Sequence, residues 1–209
     1  MQDREIENKL LYSVFARNHS QAGTLKEVEG DLERIRGLGA DILWLLPVQP
    51  SGEQDRKGKD GSPYAIQDYR RIDPKQGTWE DLKSLTEKAH ALGMKVIVDV
   101  VYNHTSPDSV LTREHPAWFF MDDTGNRHSL VADWSDIVDL DYGQRDLWDY
   151  QIGTLKQFAA VVDGFRCDVA SRVPAAFWKE AREACRVVNP DLFWLAESCH
   201  LPFVKFCRD

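Results

Sequence analysis

The residues with the most chemical potential lie at the ends of short apolar runs. DGFRCDVAS (Asp163 to Ser171) carries Arg166 and Asp168 two apart in a stretch that otherwise reads as a buried strand. Strand side chains alternate with period two, so these two share a face. KVIVDVVYNH supplies Asp99, Asn103 and His104 at its end, and DLFWLAES supplies Glu197. Two carboxylates on neighbouring strand ends suit cleavage of a glycosidic bond. At roughly 5–5.5 Å apart, one attacks the anomeric carbon while the other protonates the leaving oxygen and then activates water. The roles call for different proton affinities. Arg166 is expected to hold Asp168 ionised; Glu197, following Leu195 on the inward face near a like charge, is expected to keep its proton to higher pH. The Arg166–Asp168 pair also reads as a purely structural ion pair, and the carboxylate on the next strand weighs against that simpler reading.

Helical and strand patterns alternate along the chain. LLYSVFA (Leu10 to Ala16) is a first strand. Leu25, Val28, Leu32, Ile35 and Leu38 then recur at three- and four-residue steps, a helix from about Thr24 that Gly37 and Gly39 end. DILWLLPV is continuously apolar, as in a strand buried on both faces. Thr78 with Asp81 forms a capping-box pattern before Leu82, Leu85, Ala89 and Leu92, with Gly93 as the stop. KVIVDVV is the third strand. Leu147 to Val162 is helical, DGFRCDV is the fourth strand, Pro174 opens a helix to about Val188, and DLFWLAES is the fifth strand. This alternation predicts a parallel sheet with helical crossovers. No glycine-rich phosphate turn follows any strand, so a (β/α) barrel is favoured over a nucleotide-binding sheet. Barrel strands present active-site groups at their C-terminal ends, where the residues above fall. The long irregular stretch Asn103 to Tyr142, with Trp118, Phe119, Phe120 and Trp134, reads as a functional excursion.

Composition narrows the partners. The 209 residues carry a net charge of -8 with no basic stripe, which argues against nucleic acid and anionic membranes. No run approaches the roughly 20 apolar residues of a membrane helix, and MQDREIENKLLYSVF does not resemble a signal peptide. Cys167, Cys185, Cys199 and Cys207 form no metal-ligand pattern and read as buried free thiols in a reducing compartment, hence a cytoplasmic location.

Taken in order, several segments resemble motifs of the α-amylase family of glycoside hydrolases (glycoside hydrolase family 13). DVVYNH (Asp99 to His104), GFRCDVAS (Gly164 to Ser171) and WLAES (Trp194 to Ser198) are similar to its first three motifs. IVDLDY (Ile137 to Tyr142) is similar to the acidic motif of its subdomain, and SPYAIQDYRRIDPKQGT to the segment with a tyrosine platform. The resemblance implies an α/β fold of the (β/α)8 TIM-barrel type with a short subdomain after the third strand. It implies Asp168 as nucleophile and Glu197 as acid/base. Arg166 would orient the nucleophile, and Asp99 would be a carboxylate pairing with Arg166. His104 and Tyr64 would bind the cleaved sugar by hydrogen bonding and stacking. Asn103 and Asp139 match calcium ligands in many members, although calcium favours more oxygen ligands than two. No cofactor is required for the chemistry, and the partner is an α-glucan or oligosaccharide.

Two departures qualify this. Ser171 and Arg172 stand where many starch-degrading members have lysine and histidine, which leaves short α-glucans and transglycosylation open and weakens calcium. About five of eight βα units are present: barrel strands 1–3 in residues 1–103, an excursion in 104–141, and strands 4–5 in 142–209. No histidine–aspartate fourth motif follows. The expected reading is therefore a retaining α-glycosidase acting on maltooligosaccharides, in a truncated form with little activity alone. A non-catalytic sugar-binding scaffold is the alternative. A metal-dependent hydrolase is disfavoured, because only His104 stands at a strand end.

Overall fold

A computed structural model describes residues 8–208 of the chain; the first part of the stretch read as lacking a leader, residues 1–7, lies outside it. Five short strands, β1 (Leu11–Val14), β2 (Ile42–Leu45), β3 (Lys95–Val100), β6 (Gly164–Cys167) and β7 (Phe193–Ala196), pair in parallel in the order β1-β2-β3-β6-β7. Between β3 and β6 lie the two-residue strands β4 (His104–Thr105) and β5 (Val138–Asp139), which pair antiparallel. The helices are α1 (Ala16–His19), α2 (Leu25–Gly30), α3 (Leu32–Gly37), α4 (Trp79–Ala91), α5 (Leu111–Glu114), α6 (Arg145–Ala159), α7 (Ala175–Arg186) and α8 (Leu201–Arg208). The five-stranded α/β sheet with helical crossovers is part of a (β/α) barrel and leaves β1 and β7 as its edges.

Register separates two faces. Leu45, Val98, Phe165 and Trp194 lie in one row. Leu43, Leu45, Val96, Val98, Phe165 and Cys167 join the apolar cluster that includes Leu25, Leu85, Leu155 and Phe177 of the helices. Each wholly buried leucine or valine of this layer contributes on the order of 1.5–3 kcal/mol by leaving water. The alternate residues, among them Ile97, Asp99, Gly164 and Arg166, face the opposite, inner side. Asp99 stands directly beside Arg166 in the register, and Arg166 beside Leu195.

Helix α4 is set as its sequence predicts. Thr78 Oγ1 accepts from the Asp81 amide and Asp81 accepts from the Thr78 amide, and Leu82, Leu85 and Ala89 are buried. At its end Gly93 adopts φ +72°, which only glycine enters without strain.

Three expectations change. The single helix from Thr24 is two, because Asp31 turns to ψ 0° while pairing its carboxylate with Arg34 and His19. Leu38 falls just beyond α3 as its C-cap and is 57% exposed, so the buried stripe ends at Ile35. Of the four thiols expected to be buried, Cys167 and Cys185 are, but Cys199 and Cys207 are exposed near the C-terminal helix. The excursion shares the main apolar cluster through Trp118, Phe119, Val138 and Leu140. Trp134 is half-buried and Phe120 exposed.

Candidate active site

At the C-terminal ends of β3, β6 and β7, one guanidinium gathers three carboxylates. Arg166 Nη1 donates to Asp99 Oδ1 at 2.8 Å and to Asp168 Oδ1 at 2.7 Å, and its Nη2 meets Glu197 Oε1 at 2.8 Å. Neighbouring aromatic groups complete the cluster. Tyr64 Oη and Trp44 Nε1 each donate to Asp99 Oδ2 at 3.2 Å. The Arg166 guanidinium lies 5.1 Å from the Trp44 ring centre and 5.9 Å from that of Tyr64, within cation–π range. Period two put Arg166 and Asp168 on one face, and the parallel register adds Asp99.

The electrostatics follow from burial and charge count. Burial pushes the Asp99 carboxyl up to about 6, against the pull of Arg166, Trp44 and Tyr64. Burial also pushes Asp168 up, the charge on Asp99 adds to it, and Arg166 offsets only part. Arg166, expected to hold Asp168 ionised, does pull in that direction, but the cation is shared with Asp99 and Glu197. Burial works against the charge on Arg166, but the carboxylates outweigh it and hold it firmly protonated. Burial, with Asp99 nearby, raises the Tyr64 hydroxyl, which stays a donor. Glu197 follows β7 directly, and its side chain is 47% exposed. Its Oε2 accepts from the Val169 amide at 2.8 Å.

His104 is held by groups of the excursion. It is buried at β4, its ring centre lies 5.5 Å from that of Trp134, and its Nδ1 is 3.2 Å from the side-chain Nδ2 of Asn103. Burial lowers its pKa to about 4, so the ring is neutral at pH 7. Arg172 caps Trp134 at 5.1 Å, so the half-buried indole links the excursion to the loop after β6. Asn103 and Asp139 meet each other: Asn103 Nδ2 donates to Asp139 Oδ1 at 3.3 Å, and Asp139 Oδ2 accepts from the Leu130 amide at 3.1 Å. Calcium takes six to eight oxygens. Here the two side chains satisfy one another, and no group of three or more His, Cys, Asp or Glu residues suited to a metal occurs among the described residues.

Sequence reasoning missed Trp44 and Val169. Trp44 sits in a continuously apolar run that hides which face is inward, and Val169 contributes through its backbone.

A parallel β/α sheet with an arginine and three carboxylates at its strand ends defines a barrel-type protein with an acidic strand-end site. A profile of the alpha amylase catalytic domain matches residues 12–119, more than half of the chain, and the chain belongs to the α-amylase family. It is 32% identical to an alpha-1,4-glucan:maltose-1-phosphate maltosyltransferase of Arcanobacterium haemolyticum, over 85% of this chain and 28% of that protein. It is 28% identical to the alpha-amylase MalA of Haloarcula japonica, over 95% of this chain and 30% of that protein. Among solved structures, an alpha-amylase from Lactobacillus plantarum superposes with a TM-score of 0.91 at 55% identity, covering 98% of this chain and 48% of that one. The chain thus spans about a third of these curated relatives and about half of that solved structure. Among the described residues, no helix is long and apolar enough to cross a membrane.

Proposed function

We propose that the chain carries the nucleophile and the acid/base of a retaining α-glycosidase acting on α-glucans such as maltooligosaccharides. The observation that carries this is Arg166 holding Asp168 and Glu197 through its two terminal nitrogens. In the first step an Asp168 oxygen attacks the anomeric carbon while Glu197 gives its proton to the leaving glycosidic oxygen, breaking the C–O bond. In the second, Glu197 takes a proton from water, the water oxygen attacks the same carbon, and Asp168 departs as carboxylate. Arg166 offsets negative charge on Asp168 as it is released, while Tyr64 and Asp99 hold the arginine from the other side.

A second reading, transfer to a sugar hydroxyl in place of water, is supported by the maltosyltransferase relatives. Only five strands form the sheet, so we propose that the 209-residue chain alone turns over slowly. The test is a chimera of this chain with the remaining half of the Lactobacillus plantarum alpha-amylase, assayed on maltoheptaose beside the chain alone. We expect hydrolysis or transfer products from the chimera, told apart by chromatography, and a loss of at least about 10³-fold with Asp168→Asn. Unchanged turnover in the variant would overturn the catalytic reading and favour a sugar-binding scaffold. Full activity in the short chain would overturn the claim that five strands are insufficient.

A further inference from the structure

Val169, the residue after Asp168, adopts φ +36° and ψ +45°. Among the described residues only Asp55 is another non-glycine with positive φ. The left-handed region is costly for a β-branched residue, and such outliers persist where surrounding contacts over-determine them. Those contacts converge on one residue. The Val169 amide donates to Glu197 Oε2 at 2.8 Å, the Ala170 amide to the Glu197 carbonyl at 3.0 Å, and the Glu197 amide to the Cys167 carbonyl at 3.0 Å. On its other side Asp168 is anchored through its amide to the Val100 carbonyl at 3.0 Å.

We propose that Val169 is a positioning residue: its amide holds the Glu197 side chain while its left-handed turn brings the Ala170 amide onto the Glu197 carbonyl, and the two together set the distance between the two catalytic carboxylates. The reasoning is geometric. Double displacement requires a narrow carboxylate separation, roughly 5–5.5 Å. Glu197 projects from an edge strand and is half exposed, so burial does not fix its rotamer. Arg166 is a long side chain and only one holder. The amide of the residue covalently joined to Asp168 is a second, and it ties the acid/base to the nucleophile through one peptide unit. The Asp168 N–H goes to β3, so strand alternation already turns the Val169 N–H toward β7; the left-handed turn keeps the next amide, that of Ala170, on the same side, where an extended Val169 would send it back toward β3. The two successive amides hold Glu197 at two points, the Val169 amide at the side-chain carboxylate and the Ala170 amide at the backbone carbonyl. A glycine would enter this conformation freely but would also leave it freely. Valine is held there only by the contacts to Glu197, and outside this strained turn it has a narrower range of backbone conformations than glycine.

This inference rests on the assignment of Glu197 as acid/base, and its test separates the two. The amide proton of residue 169 is followed by NMR in the folded 209-residue chain as pH is varied. A charge-assisted bond to a carboxylate makes that shift move as Glu197 gains its proton. In an Asp168→Asn background, which removes the titration of the adjacent carboxyl, we expect the titration with Glu197 present, its absence in Glu197→Gln, and at least a halved amplitude in Val169→Gly. In the chimera, Val169→Gly is expected to lower kcat roughly tenfold with KM little changed, since small misplacements act on the chemical step. If Glu197→Gln does not fold, Glu197→Asp, whose carboxylate falls short by one methylene, is expected to lose the titration as well. An amide shift identical with Glu197 present and in its variants overturns the proposal, as does full amplitude in Val169→Gly. Loss of the catalytic reading through an active Asp168→Asn chimera would leave the amide titration in place, so the two failures are distinguishable.

Discussion

A single guanidinium faces three carboxylates, and that imbalance decides how the cluster titrates. Asp99 is wholly buried and its pKa is raised to about 6, so the native state holds a proton there that the unfolded chain, near 4, has released. Its contribution to stability is therefore present below about pH 4 and is lost as pH rises to about 6; Asp168 is shifted in the same direction. His104 has the opposite sign. Its pKa is lowered to about 4 by burial, so the unfolded chain, with its histidine near 6.5, binds a proton that the native state refuses. That contribution is present above about 6.5 and is lost as pH falls to about 4. The two oppose each other over one window. Acidification from pH 6.5 to 4 is expected to destabilise Asp99→Asn more steeply than the native chain. In His104→Gln the trend should shift the other way, with acid becoming stabilising relative to the native chain. Urea midpoints at four pH values check this, and parallel profiles for all three proteins would refute it.

At the scale of elements, the alternation of strand and helix was legible because each strand is a short apolar run and each helix carries a buried stripe. Register was legible only where polar groups interrupted it: Arg166 and Asp168 declared the inner face of β6, whereas in β2 the run ILWL conceals that Trp44 faces Asp99. The break at Asp31 and the turn at Val169 depend on backbone dihedrals that tertiary contacts impose, and neither has a periodic signature. The neighbours of His104 were not legible either, since its motif position says nothing of the Trp134 indole and the Asn103 side chain beside it. Gly164 opens β6, where a Cβ would stand 2.2 Å from the Phe193 carbonyl oxygen of β7. That atom is backbone and cannot swing away, so Gly164→Ala must push the strands apart and carry Glu197 with β7. A loss of about 1–3 kcal/mol is expected from such overpacking, read as a lower urea midpoint. An unchanged midpoint would show that β7 pairs more loosely than its register implies.

For the whole molecule, the open sheet sets a gradient of stability. β3 lies at the centre of the order, with β2 and β6 on its flanks and buried residues from Val96 to Val100. β7 has one neighbour, its residues Phe193 to Leu195 are only half-buried and Ala196 is exposed. Beyond it, α8 keeps Phe203 buried but leaves Leu201 72% and Phe206 39% exposed. A cavity of about 700 Å³ separates α7, β7 and α8, lined by Trp178, Trp194, Phe203 and Phe206. Local opening free energies track buried contact and backbone protection, so amide exchange should be slowest in β3 and β6 and fastest in α8, with β7 between. Glu197 stands at the boundary of that gradient, joined to the slow core through Arg166 and the Val169 amide. Hydrogen exchange of the 209-residue chain is expected to show the amides of residues 169 and 197 protected with β6 rather than with α8. Exchange of residue 197 at the rate of α8 would mean that Glu197 travels with the loose edge, and the cluster at Arg166 would then be only intermittently assembled.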